Sequence, residues 1–161
     1  MGLGGCSASL KRVLFVCVGN MCRSPMAEGF ARHLAPSMDH GRPWLEVRSA
    51  GTHHAGRVHE LSIQAMAEVG IDISDLGSKP VDWEFAAKAD RVVLCGAGVH
   101  LEVPKALAPK TEPWSIPDPY GHDIRVYRVV RDKIQERVER LLRQLAAERA
   151  RPETKQQQLL E

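Results

Sequence analysis

The chain has 161 residues, of which 43% are hydrophobic, so it is long enough for one ordinary globular domain with its own core. Its formal net charge is only +2, with basic and acidic residues interleaved, which argues against a nucleic-acid partner. The sequence contains no window of about 18 apolar residues, so no membrane span is predicted. The four cysteines lack the spacing of a disulfide framework or a metal site, which indicates a reducing cytoplasm.

Strand-like and helix-like segments alternate in the first half of the chain. Arg12 to Cys17 is a compact apolar run and predicts a strand, whereas Ser24 to Leu34 carries apolar residues at helical spacing. A second strand is predicted over Trp44 to Ser49. A second helix is predicted over Leu61 to Val69, stopped by Gly70.

The same alternation continues in the second half. Asp90 to Cys95 predicts a buried strand, and Thr111 to Ser115 a short one, followed by the proline-rich loop SIPDPYG. From His122 to Leu145, apolar residues recur at intervals of three and four while charged residues occupy the other face. This pattern predicts a long amphipathic helix packed on a sheet.

These elements predict an α/β fold, a three-layer sandwich with a four-stranded, mostly parallel sheet. We expect one catalytic domain over residues 11–146, with flexible termini at residues 1–10 and 147–161, because the last stretch is polar and contains a proline. In such folds the ligand binds at the carboxyl ends of the strands.

The loop that follows the first predicted strand has the composition of an anion-binding site. Cys17 ends the strand, and the residues VGNMCR lead into the helix that starts near Ser24. Converging N–H groups at a helix N-terminus bind anions, and Arg23 adds a planar set of donors suited to a tetrahedral oxyanion. The same field favours the thiolate form of Cys17, to which Ser24 can donate a hydrogen bond. The predicted substrate-binding residues are Val18, Gly19, Asn20, Met21, Cys22 and Ser24.

The segment VCVGNMCRSPMAE resembles the phosphate-binding loop of the low-molecular-weight protein tyrosine phosphatase superfamily, which includes thiol-dependent arsenate reductases. The resemblance extends from about Lys11 to Leu145. It implies that Cys17 is the nucleophile and that Arg23 binds the oxyanion. It also implies that Asn20 shapes the loop and that Ser24 is the partner of the Cys17 sulfur. Asp118, in PDPYG, matches the family's general acid, and a leaving oxygen needs such a proton donor.

The loop alone does not name the reaction, because arsenate and phosphate are near-isosteres. A phosphatase needs water to hydrolyse a Cys17 phosphoenzyme, whereas a reductase needs a second thiol to attack the sulfur of a Cys17–arsenate adduct and release arsenite. Cys95 ends another predicted strand and is either that resolving thiol or an inert buried side chain. The segments HELSIQAMAEVGIDIS, SKP and VVLCGAGVHL resemble the reductase branch, especially its glutathione- and glutaredoxin-linked members.

Some residues depart from that branch. Ala97 stands where those reductases often carry a further cysteine, and Pro25 resembles the phosphatases, as does Tyr120, which either forms part of a phosphotyrosine slot or packs against its own loop. Cys22 either forms a reversible disulfide with Cys17 or supports the loop. We therefore predict a cytoplasmic arsenate reductase with no bound cofactor or metal, reduced by a small thiol, glutaredoxin or thioredoxin. The alternative is a phosphatase acting on phosphotyrosine proteins or small phosphomonoesters.

Overall fold

The computed structural model describes residues 10–96, 99 and 104–150. Short 3-10 turns cover Pro36–Asp39 and Lys105–Lys110. The strands and α-helices follow the predicted chain order, with α3 as an unpredicted addition, and they are β1 (Lys11–Cys17), α1 (Arg23–Leu34), β2 (Leu45–Gly51), α2 (Glu60–Ala67), α3 (Trp83–Lys88), β3 (Arg91–Cys95), β4 (Thr111–Trp114) and α4 (Ile124–Arg149).

The strands form one four-stranded sheet in the order β2-β1-β3-β4, and every neighbouring pair is parallel. The chain steps from β1 to β2 in one direction and then crosses back past β1 to reach β3. Because such crossovers are right-handed, this reversal places α1 and α3 on opposite faces of the sheet. The predicted α/β sandwich is confirmed, and the sheet is wholly parallel rather than mostly so.

The core is built around the central strand. Residues Val13 to Cys17 are at most 2% exposed, as expected for a strand covered on both faces. The rings of Phe15 and Trp114 lie 5.7 Å apart between β1 and β4. α1, α2 and α4 pack together, and α4 buries the apolar row that its spacing predicts, including Val130, Ile134, Val138, Leu141 and Leu145.

The long helix ends later than predicted, at Arg149 instead of Leu145. Residues 147–149, which the sequence places in the predicted flexible terminus, thus form the last turn of α4. The physical reason is a pair of contacts: Arg149 Nη1 lies 2.9 Å from Asp39 Oδ2, and its guanidinium carbon lies 5.9 Å from the centre of the Trp44 ring. The stretches 1–9 and 151–161, predicted to be flexible, lie outside the described residues.

The helix α3 has no counterpart in the sequence prediction. It has only six residues, too few for a helical period to show. Asp82 caps it by accepting a hydrogen bond from the backbone N–H of Phe85 at 3.0 Å, and Phe85 is buried.

In the described part of the chain, no helix combines the length and apolar character needed to span a bilayer.

The sheet order determines where a ligand can bind. β1 lies between β2 and β3, so the connections on its two sides run in opposite directions and leave a crevice at its carboxyl end. Cys17 is the last residue of β1 and is paired with Gly51 of β2. The fold thus places the predicted nucleophile at this crevice.

Candidate active site

A cavity of about 170 Å³ opens at the carboxyl end of β1. It brings together seven of the ten predicted site residues and adds Tyr120. Asn20, Ser24 and Cys95 are not among the lining residues, since all three are fully buried. The lining consists of Cys17, Val18, Gly19, Met21, Cys22, Arg23, Asp118 and Tyr120.

The loop of residues 18–22, called here the anion-binding loop, is held from outside by the segment 52–59. Four backbone N–H groups of this segment donate to backbone carbonyl oxygens at or next to the loop. The bonds are Thr52 N–H to Cys17 O at 3.0 Å, His53 N–H to Val18 O at 2.8 Å, Ala55 N–H to Gly19 O at 3.0 Å and His59 N–H to Met21 O at 2.9 Å. The N–H groups of residues 18–22 donate to no carbonyl within the described ranges. This leaves them unused by the backbone, as an anion-binding loop requires.

Asn20 shapes the loop from beneath. Its backbone is in the left-handed region at φ 49°, which asparagine tolerates better than most residues. Its amide nitrogen donates to Ser24 Oγ at 2.7 Å, and its amide oxygen accepts from the backbone N–H of Lys79 at 2.8 Å. Ser24 Oγ in turn lies 2.9 Å from Cys17 Sγ. Because Asn20 donates to the Ser24 oxygen, the one hydroxyl hydrogen of Ser24 is left for two acceptors, the Cys17 sulfur and the carbonyl oxygen of Ala50 at 3.3 Å.

Arg23 and Asp118 face each other across the cavity. Arg23 is only 5% exposed, and its Nη1 donates to the carbonyl oxygen of Ile116 at 3.2 Å. Its Nη2 lies 3.7 Å from Asp118 Oδ2. The other carboxyl oxygen of Asp118 accepts from the backbone N–H of Tyr120 at 3.1 Å, which orients the carboxyl group. A guanidinium and an exposed acid therefore meet beside Cys17.

Cys22 directly precedes α1 and is buried, with its sulfur 3.5 Å from the hydroxyl of Tyr127. It packs with Tyr127 and Ala65 in a small cluster separate from the main core. Burial raises the pKa of the Cys22 thiol, and the hydrogen bond with Tyr127 partly offsets this. These contacts favour the interpretation that Cys22 supports the loop.

Cys95 lies at the end of β3, beside β1. Val16 pairs with Leu94, so Cys95 is one residue further along β3, just as Cys17 is along β1. Neighbouring strands are about 4.8 Å apart, and disulfides join Cα atoms about 4.4–6.8 Å apart, so this backbone spacing permits the two sulfurs to pair. Burial raises the pKa of the Cys95 thiol well above its usual range, the charge of Cys17 adds to this, and Arg23 opposes it.

An aromatic contact that the sequence analysis missed joins the acid loop to the cluster behind the anion-binding loop. The ring of His59 lies edge-on to Tyr120 at 5.8 Å and stacks on Tyr127 at 5.5 Å. Its Nδ1 also accepts from the backbone N–H of Leu61 at 3.1 Å and caps α2. In the sequence, this role of His59 is indicated by one feature, its position directly before α2. Among the described residues, no group of three or more His, Cys, Asp or Glu side chains is placed to hold a metal ion.

Known proteins share this arrangement along most of the chain. The glutaredoxin arsenate reductase of Synechocystis sp. is 41% identical over 138 residues, which cover 85% of this chain and 100% of that protein. A solved arsenate reductase in the phosphate binding state matches with a TM-score of 0.72 and 40% identity, over 84% of this chain and 98% of that one. An arginine phosphatase from Geobacillus stearothermophilus matches with a TM-score of 0.74 and 30% identity, over 88% and 97% of the two chains.

The family-level comparison agrees with these individual matches. Residues 12–151 match the model of a family described as low molecular weight phosphotyrosine protein phosphatase. The match includes the anion-binding loop, Cys95 and the acid loop. The chain therefore belongs to the low molecular weight phosphotyrosine protein phosphatase family.

Proposed function

We propose that this protein is an arsenate reductase that converts arsenate to arsenite through a Cys17–arsenate adduct. The observation that carries the proposal is the position of Cys95, one residue beyond the Val16–Leu94 pair and so beside Cys17 in the sheet. A phosphatase has no need of a second thiol at that place. The relatives named arsenate reductases, one of them 41% identical, support the same conclusion.

In the first step, the Cys17 sulfur attacks arsenic. The loop amides and the Arg23 guanidinium bind the arsenate oxygens, and a sulfur–arsenic bond forms as an arsenic–oxygen bond breaks. Asp118 donates a proton to the departing oxygen, which leaves as water. The position of its carboxyl group, 3.7 Å from Arg23 at the cavity, supports this role.

In the second step, the Cys95 sulfur attacks the Cys17 sulfur. A disulfide forms, the sulfur–arsenic bond breaks, and its electron pair stays on arsenic, which leaves as arsenite. Two external thiol groups then supply two electrons to reduce this disulfide and are themselves joined in a disulfide. We propose glutaredoxin or a small thiol as the donor, because the Synechocystis relative is a glutaredoxin arsenate reductase. This cycle requires a reducing compartment, for which we propose the cytoplasm.

One observation favours phosphate hydrolysis as a second candidate function. The ring of Tyr120 is 61% exposed and lines the cavity with the apolar side chains of Val18 and Met21. An aryl group of a phosphomonoester could stack there while Cys17 takes the phosphoryl group. Water would then hydrolyse the Cys17 phosphoenzyme, with the same roles for Arg23 and Asp118.

The proposal is tested by giving the purified protein arsenate and an aryl phosphate in parallel. Arsenate is supplied with glutathione and glutaredoxin, and arsenite is measured directly. We expect arsenite to accumulate over many turnovers. Aryl phosphate hydrolysis without arsenite would overturn the proposal in favour of the phosphatase, and phosphate binding without either turnover would indicate a binding module.

The buried thiol predicts the pH dependence of arsenate reduction. Because the pKa of Cys95 is raised, only a small fraction of this thiol is ionised at neutral pH. Below the pKa, the thiolate fraction increases by about tenfold per pH unit. The single-turnover rate of arsenite release should therefore keep rising with pH beyond the range in which an ordinary thiol is fully ionised. The rate is measured by rapid quench. If it stops rising at the pH at which an ordinary thiol is fully ionised, Cys95 leaves its buried site before it reacts.

A further inference from the structure

The guanidinium of Arg23 occupies the space in which a side chain of residue 96 would lie. Gly96 directly follows Cys95 at the end of β3. A Cβ atom built on Gly96 would lie 1.8 Å from Arg23 Nη1 and 2.8 Å from its Cζ. Non-bonded heavy atoms prefer separations of about 3.5–4.0 Å. Even the methyl group of alanine therefore cannot coexist with Arg23 in its observed position.

A shift of the guanidinium away from residue 96 would disturb the contacts that hold it in place. The same Cβ would lie 3.1 Å from the carbonyl oxygen of Ile116, which accepts the hydrogen bond from Arg23 Nη1 at 3.2 Å. On the far side, Arg23 Nη2 faces Asp118, 3.7 Å away. A side chain at residue 96 would thus break the bond to Ile116 and push the guanidinium out of its place beside Cys17.

The backbone of Gly96 adds a second constraint that an experiment must separate from the first. Its φ of +141° lies in a region that residues with a side chain rarely adopt. Gly70, at φ +79°, also has a positive φ, but a Cβ there meets nothing within 4 Å. Gly70 therefore serves as a control for a glycine with positive φ at which a side chain meets no collision.

We propose that Gly96 is a positioning residue for the oxyanion-binding arginine. Because it lacks a side chain, it lets Arg23 lie against the end of β3 with its donors at the cavity. The proposal rests on the proposed function only in that Arg23 binds the oxyanion. It holds for arsenate and phosphate alike.

The test is a double-mutant cycle on the Kd for inorganic phosphate, measured by calorimetry on the full chain. Gly96→Ala and Arg23→Ala should each raise the Kd by at least about 30-fold, because a charge-assisted pair of hydrogen bonds is lost in both. If Gly96 acts through Arg23, the double variant should bind within about threefold of Arg23→Ala alone. Gly70→Ala should bind phosphate as the wild type does.

The results distinguish a failure of the role proposed for Gly96 from a failure of the proposed function. If Gly96→Ala binds phosphate like the wild type, or if the two substitutions are additive, the role of Gly96 is wrong while the proposed function stands. If the wild type fails to bind phosphate, or Arg23→Ala binds it unchanged, the proposed function itself fails, and the role of Gly96 with it.

Stability provides a second readout should Gly96→Ala fold poorly. In urea denaturation, the collision predicts that Gly96→Ala destabilises the wild-type chain more than the Arg23→Ala chain, because the smaller side chain leaves room for the methyl group. Equal destabilisation in both backgrounds would show that backbone strain alone accounts for the glycine and would overturn the proposal.

Discussion

Replacing Cys17 with serine is expected to abolish both arsenate reduction and aryl phosphate hydrolysis, lowering kcat/KM by about 10⁴-fold or more. In either reaction the Cys17 sulfur is the atom that bonds to arsenic or phosphorus. A serine hydroxyl is a weak nucleophile without an adjacent general base, and the partner of this side chain is the Ser24 hydroxyl at 2.9 Å, which is no base.

Binding should survive this substitution. Arg23 and the N–H groups of residues 18–22 remain in place, so inorganic phosphate should bind to the Cys17→Ser variant with a Kd within about tenfold of the wild type. Cys6→Ser, which changes a cysteine ahead of the predicted domain, is the matched thiol control and should keep both activities. Residual turnover by Cys17→Ser above a trace would place the nucleophile elsewhere.

Replacing Cys95 with serine is expected to separate the two reactions. Arsenate turnover should fall to the background rate of the external thiol, because the Cys17–arsenate adduct then lacks its internal attacking sulfur. Aryl phosphate hydrolysis should change by less than about threefold, since water and not a thiol completes that reaction. Loss of the Cys95 thiol therefore distinguishes reduction from hydrolysis.

The Cys95 variants need a control for folding, because the side chain is fully buried. A serine hydroxyl buried without a partner costs about 1–3 kcal/mol, whereas Cys95→Ala buries no polar group. Both variants should lose arsenate turnover equally if the thiol itself is required. If either one, folded by circular dichroism, reduces arsenate at the wild-type rate, Cys95 is not the resolving thiol.

The parts of the fold that the sequence predicts well have strong local signals. Val13 to Cys17 in β1 form an uninterrupted apolar run, and the apolar spacing of α4 continues from Ile124 to Leu145. The anion-binding loop is predictable for a related reason: its donors, nucleophile and helix start are neighbours in the chain. The short helix α3 has no such signal because six residues are too few for a period to show, and the last turn of α4 has none because a contact with the distant Asp39 stabilises it.

The parts of the site that the sequence does not predict depend on contacts between distant segments. Gly51 is an example, because a Cβ there would lie 2.6 Å from the carbonyl oxygen of Val18 and 2.9 Å from the backbone nitrogen of Asn20. The need for glycine arises from the close approach of two loops, which local spacing does not encode. The same holds for the packing of Gly96 against Arg23 and for the stacking of His59 on Tyr127.

The position of Cys95 was predicted only in part. Its place at the end of a strand parallel to β1 follows from the sequence, and the register with Val16 and Leu94 agrees with it. Its burial does not follow from the sequence, which leaves open a reactive thiol or an inert buried side chain, and Cys95 is 0% exposed and does not line the cavity. The Cys95 sulfur must therefore become exposed before it can react with an external reductant.

A single turnover with arsenate, in the absence of any reductant, tests the proposed reaction most directly. Two thiols of one protein molecule hold the two electrons that reduce arsenate to arsenite. We therefore expect one arsenite per protein molecule and a disulfide between Cys17 and Cys95, identified by mass spectrometry of unreduced peptides. A disulfide between Cys17 and Cys22 would contradict the role of Cys95, and a protein that forms no arsenite and keeps all its thiols reduced would contradict the reductase.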